Sequence, residues 1–247
     1  MNPTAQSPES PTRPRRRSIL RLGAFRFSAV QLLVALALLF MATPFLEDLP
    51  NGDLVEAILV TVVMVFAVLA VGGRGRTLAI ALLLVGPALA GKWGNHLRPD
   101  LLSPVFYLTP TTVFFLFVVG HLLRFILRSP RVDANVLCAG LSGYLILGLI
   151  WTTAYLIVGS LSPEAFAFAA EPNAGTMDGF RAFYFSFITL STVGYGDISP
   201  LSKGARMLAV TEAVVGLFYM AVLISRLVAV YSTSQPEGEA EEESPSA

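Results

Sequence analysis

Apolar residues fall along this chain in long blocks, with short polar intervals between them. A helix needs ~20 mostly apolar residues to cross the hydrocarbon core of a bilayer. The first block, FSAVQLLVALALLFMATPFL at residues 27–46, is closed by Pro44 and the acidic loop EDLPNGD. The second covers residues 54–71 and stops at GGRGR. The third, TLAIALLLVGPALAG at residues 77–91, is the shortest and holds Pro87. A fourth spans 105–127 and a fifth 136–158. A polar stretch with Pro163 and Pro172 follows, then a short apolar run, FRAFYFSFITL, at 180–190. The sixth long block is 203–231. The pattern predicts an all-α integral membrane protein of six transmembrane helices, with a shorter re-entrant helix before the last. Were the third block re-entrant instead of spanning, the parity of the crossings would change.

Composition agrees with the pattern. Of 247 residues, 54% are hydrophobic and 14% charged, with a mean hydropathy of +0.67; soluble domains carry about 25% charged residues. The charges sit mainly at the ends, arginines within 13–26 and glutamates within 237–243. The net charge of zero therefore says little about partners, and nothing points to nucleic acid. The RRRSILR stretch before the first block faintly resembles a twin-arginine export signal, but signal cores are usually shorter than the 27–46 run. A basic cytoplasmic flank on a first helix explains it better, with contact to anionic headgroups an added reading.

Orientation follows from the lysines and arginines near the helix ends. With six spans and both termini inside, twelve of the 17 basic residues fall on the cytoplasmic side. The other five are Lys92, Arg98, Arg181, Lys203 and Arg206. The expected location is a cell membrane, multi-pass, with both tails cytoplasmic and low in residues able to build a core. The single cysteine, Cys138, lies in an apolar run and reads as a small packing residue. No Ser-His-Asp set, no phosphate-cradling Gly-Lys-Ser/Thr loop and no metal-ligand cluster stands out, so no enzymatic activity, catalytic residue or cofactor is expected.

One stretch conflicts with its surroundings. TLSTVGYGDISP, residues 189–200, is polar and glycine-bearing between two apolar blocks. Backbone without helical bonds is tolerated at membrane depth only when protein buries it or it lines a water-filled path. If neighbours between Thr192 and Gly196 alternate between right- and left-handed backbone angles, their carbonyls form a ladder able to replace a cation's water shell. Gly194 and Gly196 permit that alternation, because glycine takes positive φ cheaply. The run TVGYGD resembles the signature of potassium channels; the match is letter for letter, a recognition and not a deduction. The similarity extends over residues 133–231, with a short helix and the filter motif between two long helices.

The resemblance implies a homotetramer around a central pore, with K+ held by Thr192, Val193, Gly194 and Tyr195, and Gly196 completing the filter. It divides the chain into a basic tail (1–26), a four-helix transmembrane domain (27–131), a pore domain (132–234) and an acidic tail (235–247). It implies membrane lipid and K+ as the only other partners, besides an unknown gating partner. The ring of Tyr195 is expected among Phe183, Tyr184 and Phe185. Many relatives carry two adjacent tryptophans where this chain has Tyr184 and Phe185. Tyr184 can still donate to Asp197, whereas Phe185 cannot donate to Tyr195. Ile188 stands where some relatives have a glutamate. Glu212, at membrane depth in the last helix, is expected to bond Ser186, Thr189, Ser191 or backbone behind the filter as a support. Gly216 is spaced like a hinge glycine, though membrane helices also use glycine for packing. Arg226 is expected near the cytoplasmic end, where snorkelling toward phosphates is the reading ahead of lining the inner mouth.

The first four helices do not read as a strong voltage sensor. The fourth places Arg124, Arg128 and Arg131 at its inner end, with no arginine repeat through its core. Glu56 lies near an outer end. The residues after Tyr231 are too few for a nucleotide- or calcium-binding module. His121 reads as a packed neutral side chain ahead of a pH sensor. The expected function is a potassium-selective channel with weak or no intrinsic voltage gating. The alternatives are a voltage-gated channel with a degenerate sensor, a non-selective cation channel and a non-conducting membrane scaffold.

Overall fold

The computed structural model describes residues 19–46, 49–72, 75–98, 103–131, 133–169 and 176–232. The expectations placed on the N-terminal tail up to residue 18, Arg74, Pro172 and the acidic C-terminal tail lie outside them. Seven helices run in chain order: α1 (Ile19–Leu46), α2 (Gly52–Val71), α3 (Gly75–Leu97), α4 (Pro104–Arg128), α5 (Ala134–Leu161), α6 (Gly179–Leu190) and α7 (Lys203–Ser232). All except α6 are long and apolar enough to cross a membrane. The tail boundary expected at residue 26 falls inside α1.

Helix ends follow local chemistry. Gly72 ends α2 in the left-handed region at φ 41°, a conformation glycine adopts without the Cβ penalty. Asp133 caps α5, accepting from the amides of Asn135 at 3.2 Å and Val136 at 3.1 Å, and so supplies bonds to two first-turn amides.

The third span is longer than its apolar block. α3 has 23 residues and continues past Gly91 through Lys92 and Trp93 to Leu97. The polar continuation has partners: Lys92 Nζ donates to Glu56 Oε1 at 2.7 Å, and Trp93 Nε1 donates to Thr61 Oγ1 at 3.1 Å. Both partners sit on α2, so side chains from another helix satisfy what the hydropathy pattern read as a stop.

The expectation of an all-α chain also needs correction. β1 (Phe166–Phe168) pairs antiparallel with β2 (Ile198–Pro200), with Phe166 opposite Pro200 and Phe168 opposite Ile198. A short 3-10 turn, Pro163–Ala165, leads into β1. These connectors cannot all be helical, and their amides and carbonyls need partners. The ribbon supplies them, and it ties the chain before α6 to the chain after it.

Two apolar clusters hold the chain together. The larger joins α1, α2, α4 and α5 through Leu32, Leu36, Met64, Phe114, Leu122 and Ile146, all fully buried. The smaller lies beside the ribbon and gathers Tyr155, Phe166, Met177, Phe185, Ile198 and Ala205. Small residues on α5 let α7 come close: a Cβ on Gly140 would lie 2.8 Å from Leu223 Cδ1, and Tyr219 donates to Gly140 O at 2.8 Å. Much of the rest of α7 is uncovered in a single chain, including Met207, Val210, Leu217, Phe218, Ile224 and Val228.

Candidate functional site

α6 begins at Asp178, whose carboxylate accepts the Arg181 amide at 2.8 Å. Its 12 residues reach only ~18 Å at ~1.5 Å per residue, too short for a ~30 Å core. The helix is held from two sides. Phe183 and Phe187 meet Phe40 of α1 with centroids 4.7 and 4.5 Å apart. Phe185 meets Tyr155 of α5 at 4.8 Å and Phe166 of β1 at 5.8 Å. α6 is thus clamped before its last residue hands over to the polar run.

The run folds back on the helix end. The amides of Val193 and Gly194 both donate to Ile188 O, at 2.9 and 3.1 Å, and the amide of Thr192 donates to Thr189 O at 2.9 Å. Positive φ then alternates along the chain: 59° at Thr192, 53° at Gly194 and 80° at Gly196, with neither Val193 nor Tyr195 positive. At the two glycines this needs no Cβ to be accommodated. At Thr192 it does, and a β-branched residue in that region is strained. Such strain persists only where the surroundings over-determine it, and the Thr189 and Ile188 carbonyls do so here by fixing three consecutive amides.

With the amides engaged, the carbonyls are left over. Gly196 O accepts Ser199 Oγ at 3.3 Å and Asp197 O accepts the Ala169 amide at 2.8 Å. Among the described residues no donor reaches the carbonyl oxygens of Thr192, Val193, Gly194 or Tyr195. All four residues are exposed in the single chain. Oxygen atoms in such a row suit hard cations stripped of water, and no grouping of His, Cys, Asp or Glu suited to a metal ion occurs among the described residues.

The supports assigned from sequence divide. Tyr184 donates to Asp197 Oδ2 at 2.7 Å, as expected, joining α6 to the residue just after the run. The other carboxylate oxygen of Asp197 is buried without a partner. The aromatic cuff for Tyr195 does not form within one chain. Tyr195 is 73% exposed and enters no ring pair among the described residues. Phe183 is taken by Phe40 and Phe187, and Phe185 by Tyr155 and Phe166.

Glu212 is fully buried. Ser186 Oγ lies 2.6 Å from its Oε1, and the Tyr155 hydroxyl donates to its Oε2 at 2.5 Å. Ser186 was among the expected partners; Thr189 and Ser191 were the others and do not bond it. Tyr155 was missed, since nothing local marks one tyrosine in an apolar block as a partner for an acid 57 positions on. Ile188 is buried and contributes its carbonyl, not its side chain, to the run. Gly216 lies within an unbroken α7, where a Cβ would come 2.7 Å from Leu190 O. Arg226 Nη2 donates to Ser129 O at 2.6 Å, joining α7 to the α4–α5 linker. His121 is half-buried beside Phe117.

The geometry has a counterpart among known proteins. A family model described as "Ion channel" matches residues 141–233. Protein LctB of Bacillus caldotenax is 32% identical over 104 residues, covering 40% of this chain and 75% of that protein. The chain belongs to the potassium channel superfamily. Two-pore potassium channel 4 of Arabidopsis thaliana is 34% identical over 86 residues, 34% of this chain and 29% of that protein. Voltage-gated potassium channel Kch of Escherichia coli is 44% identical over 46 residues, 19% of this chain and 11% of that protein. The chain therefore spans less than a third of the length of these two channels. No solved structure matches it.

Proposed function

We propose that four copies of the chain form a potassium-selective channel that conducts K+ passively, with the carbonyls of Thr192, Val193, Gly194 and Tyr195 as the ion ligands. The observation that carries the reading is the row of four carbonyls without donors, on backbone whose φ alternates in sign. A single row cannot surround an ion, so cyclic closure by identical copies is required. Tyr184, Phe185, Asp197 and Glu212 hold the row from behind. α5 and α7 are the outer and inner helices, and Gly216 packs the inner helix against the end of α6. Both tails lie on the cytoplasmic side of the cell membrane, given the distribution of basic residues.

Intrinsic voltage dependence is weak or absent in this reading. Arg124 and Arg128 stand in the last turns of α4, and one charge moved through 100 mV yields only ~2.3 kcal/mol. Several arginines in the membrane core would be needed for steep gating.

The test is the reversal potential of the purified protein in a planar bilayer, under opposed K+ and Na+ gradients. A value near the K+ equilibrium potential is expected. A value near zero would refute selectivity. Absence of current under every voltage and pH applied, from a protein with the mass of a tetramer, would favour the scaffold.

A further inference from the structure

We infer that Glu212 carries a proton, donates it to Ser186 and thereby acts as a neutral brace holding α6 between α5 and α7. The inference rests on counting protons. Ser186 Oγ lies 2.8 Å from Gly148 O and 2.6 Å from Glu212 Oε1, both hydrogen-bond distances. A hydroxyl has one proton to give and two lone pairs to accept with. It serves both neighbours fully only by donating to one and accepting from the other. Gly148 O also accepts Thr152 Oγ1 at 2.9 Å, but two oxygens held 2.8 Å apart still need a proton between them, and a backbone carbonyl cannot donate. The proton of Ser186 therefore lies toward Gly148 O, and the proton in the second bond comes from Glu212. The hydroxyl proton of Tyr155 goes to the other carboxyl oxygen, Oε2, at 2.5 Å. Every oxygen in the chain Tyr155, Glu212, Ser186, Gly148 then has a partner.

The surroundings agree. Glu212 is 0% exposed, and an ionised carboxylate removed from water is costly unless a cation pairs with it. The titratable side chains that face it are Tyr155 and Tyr144, both from α5. No lysine, arginine or histidine forms an ion pair with it among the described residues. The brace joins three elements at one point: α7 through Glu212, α6 through Ser186, and α5 through Tyr155 and Gly148. Two residues of α6 turn, Ile188 and Thr189, accept the amides of the polar run, so an α6 held in register holds the run in register. Glu212 is thus a positioning residue. Its effect on ion flux depends on the channel reading; its proton does not.

The test uses the full chain in lipid nanodiscs, as wild type, Glu212→Gln and Glu212→Leu. Infrared difference spectra between wild type and Glu212→Gln at neutral pH should contain a carboxylic-acid C=O band lost in the variant and shifted in D2O. A carboxylate band in its place would overturn the inference. Glutamine can repeat the pattern, its NH2 donating to Ser186 and its oxygen accepting from Tyr155. Glu212→Gln should therefore melt within ~2 °C of wild type, while Glu212→Leu should fall by roughly 5 °C or more. A glutamine variant as damaged as the leucine one, or a leucine variant as stable as wild type, would also overturn it. If wild type conducts, alkaline pH should reduce its flux and leave that of Glu212→Gln unchanged; equal pH sensitivity in both would count against the brace. Should wild type carry no current, the channel reading fails, and the infrared and melting data still decide the proton.

Discussion

Replacing Gly216 by alanine separates packing from bending in the last helix. A Cβ at this position would lie 2.7 Å from Leu190 O and 2.8 Å from Leu190 Cδ1. The side chain can yield, but the carbonyl belongs to the last residue of α6, and moving it moves the turn at Ser191 and Thr192. Overpacking of this kind costs about 1–3 kcal/mol, offset by about 0.5–1 kcal/mol from removing a glycine out of a helix interior. The net is about 0–2.5 kcal/mol against Gly216→Ala in each chain, with a midpoint of ~1.3 kcal/mol. At ~2–4 °C per kcal/mol for a chain of this size, the melting temperature falls by about 3–5 °C at that midpoint. Gly120→Ala is the control, because Gly120 lies within α4 and a Cβ there meets nothing within 4 Å. It should melt at or slightly above wild type. Tryptophan fluorescence during a thermal ramp of the protein in nanodiscs reads both. If Gly216→Ala melts with Gly120→Ala, the close approach is not what keeps glycine at 216, and a bend of α7 becomes the better account.

Three further outcomes follow from single contacts. Gly194→Ala meets no steric obstacle, since nothing lies within 4 Å of its Cβ; its cost is the left-handed backbone, about 1–2 kcal/mol per chain, and the reversal potential should move toward zero. Tyr184→Phe removes the 2.7 Å bond to Asp197 and leaves that carboxylate without a side-chain donor, at about 1–3 kcal/mol; current should decay faster during a sustained step, and unchanged decay would show the bond to be idle. Arg226→Gln removes a 2.6 Å bond from a cation to Ser129 O, in the class worth about 1.5–3 kcal/mol; both the melting temperature and the single-channel open probability should change, and constancy of both would rule out a link between α7 and the α4–α5 linker.

The spans were legible because transfer into lipid depends on composition summed over a window, whatever the tertiary neighbours. Their ends were less so. Whether α3 stops at Gly91 or continues depends on Lys92 finding Glu56, 36 positions earlier, and no local pattern carries that. The ribbon of three-residue strands escaped notice for the same reason: its register is set by closing the chain around α6, not by alternation within either strand. At the site, Tyr184 with Asp197 and Glu212 with Ser186 were both anticipated, since similar proteins fix the order of these elements and a buried acid needs donors. The placement of the rings was not. Phe183 and Phe185 lie two apart on a helix, so they face different directions; one packs on α1 and the other on α5, which leaves Tyr195 without an aromatic partner among the described residues.

That leftover tyrosine bears on assembly. A chain alone in lipid would leave the carbonyls of residues 192–195 without donors, and an unsatisfied backbone group in hydrocarbon costs several kcal/mol. Lipid could cover the apolar side chains of α7, such as Leu217 and Phe218, at no comparable cost, so these alone do not demand a partner. The carbonyls demand water or cations on one side, and the rest of the same segment demands protein on the other. Tyr195 meets both conditions at once if its carbonyl faces the axis and its ring, exposed at 73% in one chain, turns toward an adjacent copy. The oxygen row and the uncovered ring together favour assembly with further copies, while the number four in the proposal comes from the resemblance to potassium channels; neither the length nor the hydropathy of the six spans would have required an assembly.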